Sequence, residues 1–195
     1  MVAGALTTPE TLWSRVSAGD ADAFAELFRA FADRVHGFCY RRSGSPEVAE
    51  DVTSAVFLEA WRRRTEVTMA SDDAVLPWLF GVAANLLRNA GRKQRRYQRF
   101  LAAAPPPGVS PEFAPEVDDR VDVERDLRLV RAALATLGDD DRDLLLLTVA
   151  EGLTPAEVAA ALGVPAGTVR SRLSRARARL RAAMAALGPT GGGEG

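Results

Sequence analysis

Thr154–Leu180 reads TPAEVAAALGVPAGTVRSRLSRARARL, and this stretch decides the fold. Thr154 is placed to cap a helix, Pro155 suits the first helical position, and Glu157 completes a capping box. Val158, Ala159 and Leu162 give that helix one apolar face. Leu162-Gly163-Val164 interrupts it, and Pro165 restarts the chain as a second helix. There Val169, Leu173, Ala176 and Leu180 recur at helical spacing and form the buried stripe. Arg170, Ser171, Ser174 and Arg175 fall off that stripe, on the side free to meet a partner. Two short helices joined by a tight turn, the second rich in arginine, make the layout of a helix-turn-helix, whose second helix enters the major groove of DNA.

The chain has 195 residues, enough for one or two small domains. No apolar run approaches membrane-spanning length, so no membrane insertion is expected. The start, MVAGALTTPE, lacks the basic and apolar segments of a signal peptide, which predicts a cytoplasmic protein. Cys39 is the only cysteine, so no internal disulfide forms. His36 lies one helical turn away, but a metal site needs further ligands of this kind and the sequence has none. The pair reads as helix packing, and neither a metal nor another cofactor is expected. No grouping of His, Cys or carboxylates has acid–base or nucleophile spacing, which argues against an enzyme.

Net charge is −1, yet its distribution is uneven. Arg88, Arg92, Lys93, Arg95, Arg96 and Arg99 form one run without an acid. Arg170, Arg172, Arg175, Arg177, Arg179 and Arg181 form another, and Glu112–Asp126 between them is strongly acidic. Solvated helix faces ordinarily mix signs. Two unmixed basic faces on a neutral chain point to two contacts with a polyanion.

No segment alternates with period two, so the chain is predicted all-α. Residues 8–100 read as a four-helix domain. A first helix runs from about Pro9 to Ala18 with Thr8 as cap. A second runs from Ala21 to Arg42, capped by Asp20, striped by Phe24, Leu27, Phe28, Phe31, Val35, Phe38 and Cys39, and stopped by Gly44. A third runs from Pro46 to about Arg64 after Ser45, with Val48, Val52, Ala55, Val56, Leu58 and Trp61 as its stripe. After a loop at Thr65–Val75 the fourth runs from Leu76 to Arg99, with Trp78, Leu79, Val82, Ala83 and Leu86 inward. Pro105-Pro106-Pro107-Gly108, Pro111 and Pro115 make 101–119 a linker. Residues 120–187 form the helix-turn-helix domain, in which Asp139-Asp140-Asp141 are expected to cap a helix whose apolar body is Leu144–Val149. Residues 188–195 read as a disordered tail.

The segment Leu162–Pro165, Gly167–Leu173 and Arg175–Arg177 resembles the promoter-reading part of bacterial sigma factors of the extracytoplasmic-function group. Ala18–Asp20, Ala23-Phe24, Leu27-Phe28, Ala49–Asp51, Phe57-Leu58, Ala60–Arg62, Pro77–Leu79 and Asn85–Leu87 resemble the first conserved domain of the same family, in the family's order. The resemblance implies a dissociable subunit of RNA polymerase. Glu50, Asp51, Ser54, Leu58 and Trp61 would then dock on core polymerase (its beta and beta-prime subunits). Asn85, Arg88, Arg92, Lys93, Arg95 and Arg96 would read and open the −10 element of promoter DNA. Thr168, Arg170, Ser171, Ser174, Arg175 and Arg177 would read the −35 element. An anti-sigma factor is a further partner common in that family. Where the family carries a Gln-Glu pair in the docking helix, this chain has Ser54 and Ala55. A family arginine is Ala84 here, and a family aspartate is Asn89.

The physics of each part is independent of the family. Unstacking a base costs a few kcal/mol, so strand opening needs a receiving pocket. A flexible loop at Thr65–Asp73 beside the basic run Arg88–Arg99 would supply pocket and phosphate grip. Trp61 and Trp78 flank it, and both sit on apolar stripes as core residues do. Arg170 and Arg175 are candidates to fork onto guanine, and Thr168 to bind phosphate. Ser171 and Ser174 are short enough to adjust the fit, and Arg177 suits phosphate. Two other readings stand beside this one: a free-standing helix-turn-helix regulator of duplex operators, and a helical scaffold with basic faces.

Overall fold

Capping residues set the helix boundaries before any packing does. In this computed structural model, which describes residues 11–102 and 121–187, every regular element among the described residues is helical. Helix α1 spans Leu12–Ser17, and the Thr11 side chain accepts from the Ser14 N–H at its start. Helix α2 spans Ala21–Ser43; Asp20 accepts from the N–H groups of Asp22 and Ala23, and Gly44 ends it in the left-handed region at φ 74°. Helix α3 spans Pro46–Arg62 behind a Ser45 cap. A 3₁₀ turn at Asp72–Ala74 leads into α4, Val75–Ala102. Then come α5 at Val121–Ala135, α6 at Asp139–Leu145 and a π-helical turn at Leu146–Ala150. The helix-turn-helix is α7, Pro155–Leu162, and α8, Ala166–Leu187, with Gly163 between them at φ 65°. Its capping box forms as the spacing requires: Thr154 accepts from the Glu157 N–H, and the Glu157 carboxylate accepts from the Thr154 N–H at 2.7 Å.

Helices α2, α3 and α4 pack on one another, with α1 laid against α2. Their shared core holds Trp13, Leu27, Phe38, Val56, Phe57, Leu79 and Phe80. Fully burying such side chains contributes about 1.5–3 kcal/mol each. In the C-terminal half α8 packs on α5, α6 and α7 over Leu134, Leu144, Leu147, Val158, Val169, Leu173 and Ala176. The halves join where α7 lies on α4. Gly81 makes that approach possible, because a Cβ there would overlap the Ala161 carbonyl oxygen.

Several expectations are corrected. Thr11, not Thr8, caps the described first helix; Thr8 and Pro9 lie outside the described residues. Phe28 and Leu58, both placed on buried stripes, are exposed at 45% and 60%, because α2 and α3 meet over Leu27, Val56 and Phe57 instead. Helix α4 continues to Ala102, past the expected linker start at Leu101. The linker prolines and the 188–195 tail lie outside the described residues. Gly138, not an aspartate, is the N-cap of α6, and no side chain bonds there; Asp139–Asp141 occupy its first turn, where negative charge suits the helix dipole. The apolar body expected at Leu144–Val149 is buried only through Leu147, and Val149 is 65% exposed.

Candidate nucleic-acid interface

Helix α8 sorts its side chains by spacing. Val169, Leu173 and Ala176 are buried beneath it. Arg170, Ser174, Arg177 and Arg181 recur at i, i+4, i+7 and i+11, as do Thr168, Arg172, Arg175 and Arg179. Between the two rows stand Gly167, Ser171 and Ala178, all small and exposed. The six residues expected to read duplex DNA therefore divide. Arg170, Ser174 and Arg177 form one flank, Thr168 and Arg175 the other, and Ser171 lies between them. A strip of small residues thus runs along α8 between two basic rows. Ser171 Oγ donates to the Thr168 carbonyl at 3.1 Å, and Arg175 Nε to the Ser171 carbonyl at 3.4 Å.

The strand-opening candidates lie on one face of α4. Asn85, Arg92, Lys93 and Arg96 are exposed, and Arg88 is half-buried; the Arg95 side chain lies outside the described residues. Arg88 donates to Asn85 Oδ1 at 2.5 Å and to Asp140 at 2.9 Å, and Arg92 donates to Asn89 at 3.0 Å. The two basic faces, separate in the sequence, meet in the structure. Asn85, Arg88 and Arg92 share a cleft of about 790 Å³ with Arg172, Arg175 and Arg179, and Asp139–Asp141 lie between the two sets. Asp140 lies 3.9 Å from Arg172, and Asp141 lies 2.7 Å from Arg179. Acidic side chains of α6 thus pair with arginines of both basic faces.

Beneath this cleft a buried ion pair fastens the halves. Arg42 Nε lies 2.5 Å from Asp143, whose side chain is fully buried, and Arg42 also reaches Asp139 at 2.8 Å. Burial pushes the Asp143 carboxyl above its ordinary value, and Arg42 pulls the other way. Asp143 Oδ2 has no hydrogen-bond partner, although Arg88 Nε stands 4.0 Å away. A second link joins Arg41 and Arg34 of α2 to Glu151.

The docking candidates share one face of α3. Glu50, Asp51, Ser54 and Leu58 are exposed, and Trp61 is half-buried under Arg64, whose guanidinium carbon lies 4.2 Å from the ring centre. Phe28, which the sequence reading placed in the core, joins this surface: it stacks edge-on against Phe57 at 4.7 Å while remaining exposed. Ala84 is fully buried in the core, so an arginine there has no room. Cys39 is buried, which pushes its thiol up to about 11. That places it away from nucleophilic chemistry at neutral pH. Among the described residues no group of acids, histidines or cysteines could hold a metal, and no helix is long and apolar enough to cross a membrane.

The loop before α4 is tied down rather than loose. Trp13 Nε1 donates to the Val67 carbonyl at 2.9 Å, and the Asp72 carboxylate accepts from the N–H groups of Leu12 and Trp13 at 2.9 and 3.0 Å. Ser17 Oγ donates to the Arg64 carbonyl.

The family model described as Sigma-70 region 2 matches residues 27–97, and that described as Sigma-70, region 4 matches residues 127–180. The chain is 32% identical over 181 residues to the ECF RNA polymerase sigma factor SigL of Mycobacterium tuberculosis, covering 91% of this chain and 99% of the relative. It is 32% identical over 166 residues to the RNA polymerase sigma factor CarQ of Myxococcus xanthus, covering 84% and 90%. It is 34% identical over 167 residues to the ECF RNA polymerase sigma factor SigE of Mycolicibacterium smegmatis; that match takes in 80% of this chain but only 59% of the relative's length. Among solved structures, the sigma factor RpoE in complex with the anti-sigma factor NepR from Bartonella quintana shares the fold, with a TM-score of 0.64 at 24% identity over 85% of this chain and 98% of that one. CnrH in complex with the cytosolic domain of CnrY shares it too, with a TM-score of 0.66 at 23% identity over 90% and 96%.

Proposed function

The chain belongs to the extracytoplasmic-function group of the sigma-70 family of RNA polymerase sigma factors, and from that premise we propose that it binds core polymerase in the cytoplasm and selects where transcription starts. The α3 face carrying Glu50, Asp51, Ser54, Leu58 and Trp61, widened by Phe28, docks on the beta and beta-prime subunits. The α4 face reads and opens the −10 element, and α8 reads the −35 element. Polymerase supplies the chemistry, and this chain supplies none of its own.

The observation that carries this reading is the paired rows of α8, since an arginine-flanked strip of small residues is what a groove-entering helix needs. Arg88 and Arg172 both lie against Asp140. Promoter phosphates replace that carboxylate, so the two halves part as the chain takes up its place on polymerase and DNA. An anti-sigma protein would exploit the same surfaces by covering the α3 face and α8.

Run-off transcription tests the division of labour. Arg92, Arg95 and Arg96 changed together to Ala should slow strand opening more than they weaken first binding of the duplex. Equal loss at both steps would remove the opening role from α4. Leu58→Asp should abolish co-purification with core polymerase while leaving the fold intact, because Leu58 is exposed.

A further inference from the structure

The segment between α3 and α4 has an alternating pattern fixed from outside itself. Val67 and Met69 are half-buried against the core, while Glu66, Thr68 and Ala70 are exposed. The ties that hold the segment this way come from α1, far away in sequence. The Trp13 indole donates to the Val67 carbonyl and stacks edge-on against Trp78 of α4, with ring centres 5.3 Å apart. The Asp72 carboxylate, at the far end of the segment, takes both free N–H groups at the start of α1. Ser17 at the end of α1 holds the Arg64 carbonyl at the near end. Both ends and the middle of the loop are therefore bonded to one six-residue helix.

We propose that α1 is a positioning clamp for strand reading: Trp13 and Asp72 hold the backbone of Glu66–Ala70 so that Thr68 faces outward to receive an unstacked promoter base. This rests on the reading that the loop before α4 meets the −10 strand. A base captured outside the duplex is recognised by hydrogen bonds to its edge, and those bonds discriminate only when their donor and acceptor are held still. The segment's own backbone bonds lie at its two ends, from Glu66 and Val67 back to the Arg63 carbonyl and from Ala74 to the Ser71 carbonyl, and none holds Thr68. Beyond the seating of Val67 and Met69 on the core, the hydrogen bonds that hold the segment come from α1.

The test uses the full chain assembled with core polymerase, on promoters in which each −10 position is varied through all bases. Three readouts are taken: base preference at −10, affinity for core polymerase, and binding dependent on the −35 duplex. Thr68→Ala tests the loop itself. Trp13→Phe keeps the ring but removes the indole donor, and Asp72→Ala removes both acceptors. Each clamp variant should flatten the −10 base preference roughly two- to tenfold, the range of a lost hydrogen bond, with the other readouts unchanged. Asp72→Asn, which keeps one acceptor oxygen, should fall between Asp72→Ala and the wild type. If Thr68→Ala flattens the preference while Trp13→Phe and Asp72→Ala do not, the loop reads without the clamp and the proposal fails. If Thr68→Ala changes nothing at −10, the reading of the loop fails, and the clamp with it. If the clamp variants weaken core binding in parallel, α1 merely stabilises the bundle, which also overturns the proposal.

Discussion

The N-terminal half is packed around rings, with Trp13, Phe38, Phe57 and Phe80 in one core, whereas the C-terminal half from Val121 to Leu187 has no aromatic residue and packs leucine, valine and alanine under short helices. Helices α6 and α7 have 7 and 8 residues, well below the ~12–15 residues at which an isolated helix becomes even marginally stable in water. The first half therefore makes its own core. The second leans on α8 and on the flank of α4 at Gly81, and it is fastened by Arg42–Asp143 and Arg41–Glu151. One half carries its own aromatic core, while the other is held by a close helix seam at Gly81 together with ion pairs from α2.

Truncating the ring core should do most damage. Phe80→Ala should cost about 3–5 kcal/mol, and Leu147→Ala about 2–5 kcal/mol. The contrast lies in the probe. The tryptophans, Trp13, Trp61 and Trp78, all stand in the N-terminal half. Phe80→Ala should shift tryptophan fluorescence and circular dichroism together on urea unfolding, while Leu147→Ala should shift the dichroism and spare the fluorescence. Identical shifts of both probes in both variants would erase the asymmetry.

The fastening comes next. Arg42→Ala should cost about 3–5 kcal/mol, because it strands a buried carboxylate, and Arg42→Met with Asp143→Leu should recover much of that loss. Gly81→Ala should cost about 1–3 kcal/mol through overpacking and should enlarge the particle in small-angle scattering as α7 is pushed off α4. An unchanged radius would mean that the seam accommodates a methyl group.

The smallest effect belongs to the reading head alone. Thr154→Ala should remove about 1 kcal/mol without moving tryptophan fluorescence. The Thr154 hydroxyl and N–H hold the Glu157 carboxyl below its usual range. Its contribution is therefore present above the unfolded Glu value and is lost as pH falls. The difference between wild type and Glu157→Gln should shrink below a pH of about 4.3.

Local chemistry was legible in the sequence where it is written in neighbouring residues. Asp20, Gly44, Ser45-Pro46, Thr154 with Glu157, and Gly163 mark boundaries that the structure keeps, and the basic faces of α4 and α8 follow from helical spacing alone. What failed depends on distant partners. Phe28 and Leu58 lie on apolar stripes that are wider than the contact between α2 and α3, and nothing local shows where that contact stops. Asp139–Asp141 looked like caps, but Gly138 takes that role and their charge goes to Arg42, Arg88, Arg172 and Arg179. Arg42 and Asp143 stand 101 positions apart, beyond any periodic pattern. The loop at Thr65–Asp73 looked free because its ties, Trp13 and Ser17, come from a different helix.

The most direct test of promoter selection is reconstituted transcription by core polymerase with the purified chain on a promoter carrying both elements. Wild-type protein should start a defined transcript. Changing Arg170 and Arg175 together to Glu should abolish it while co-purification with polymerase persists. A chain that ignores core polymerase, yet binds its duplex site tightly alone, would contradict the account.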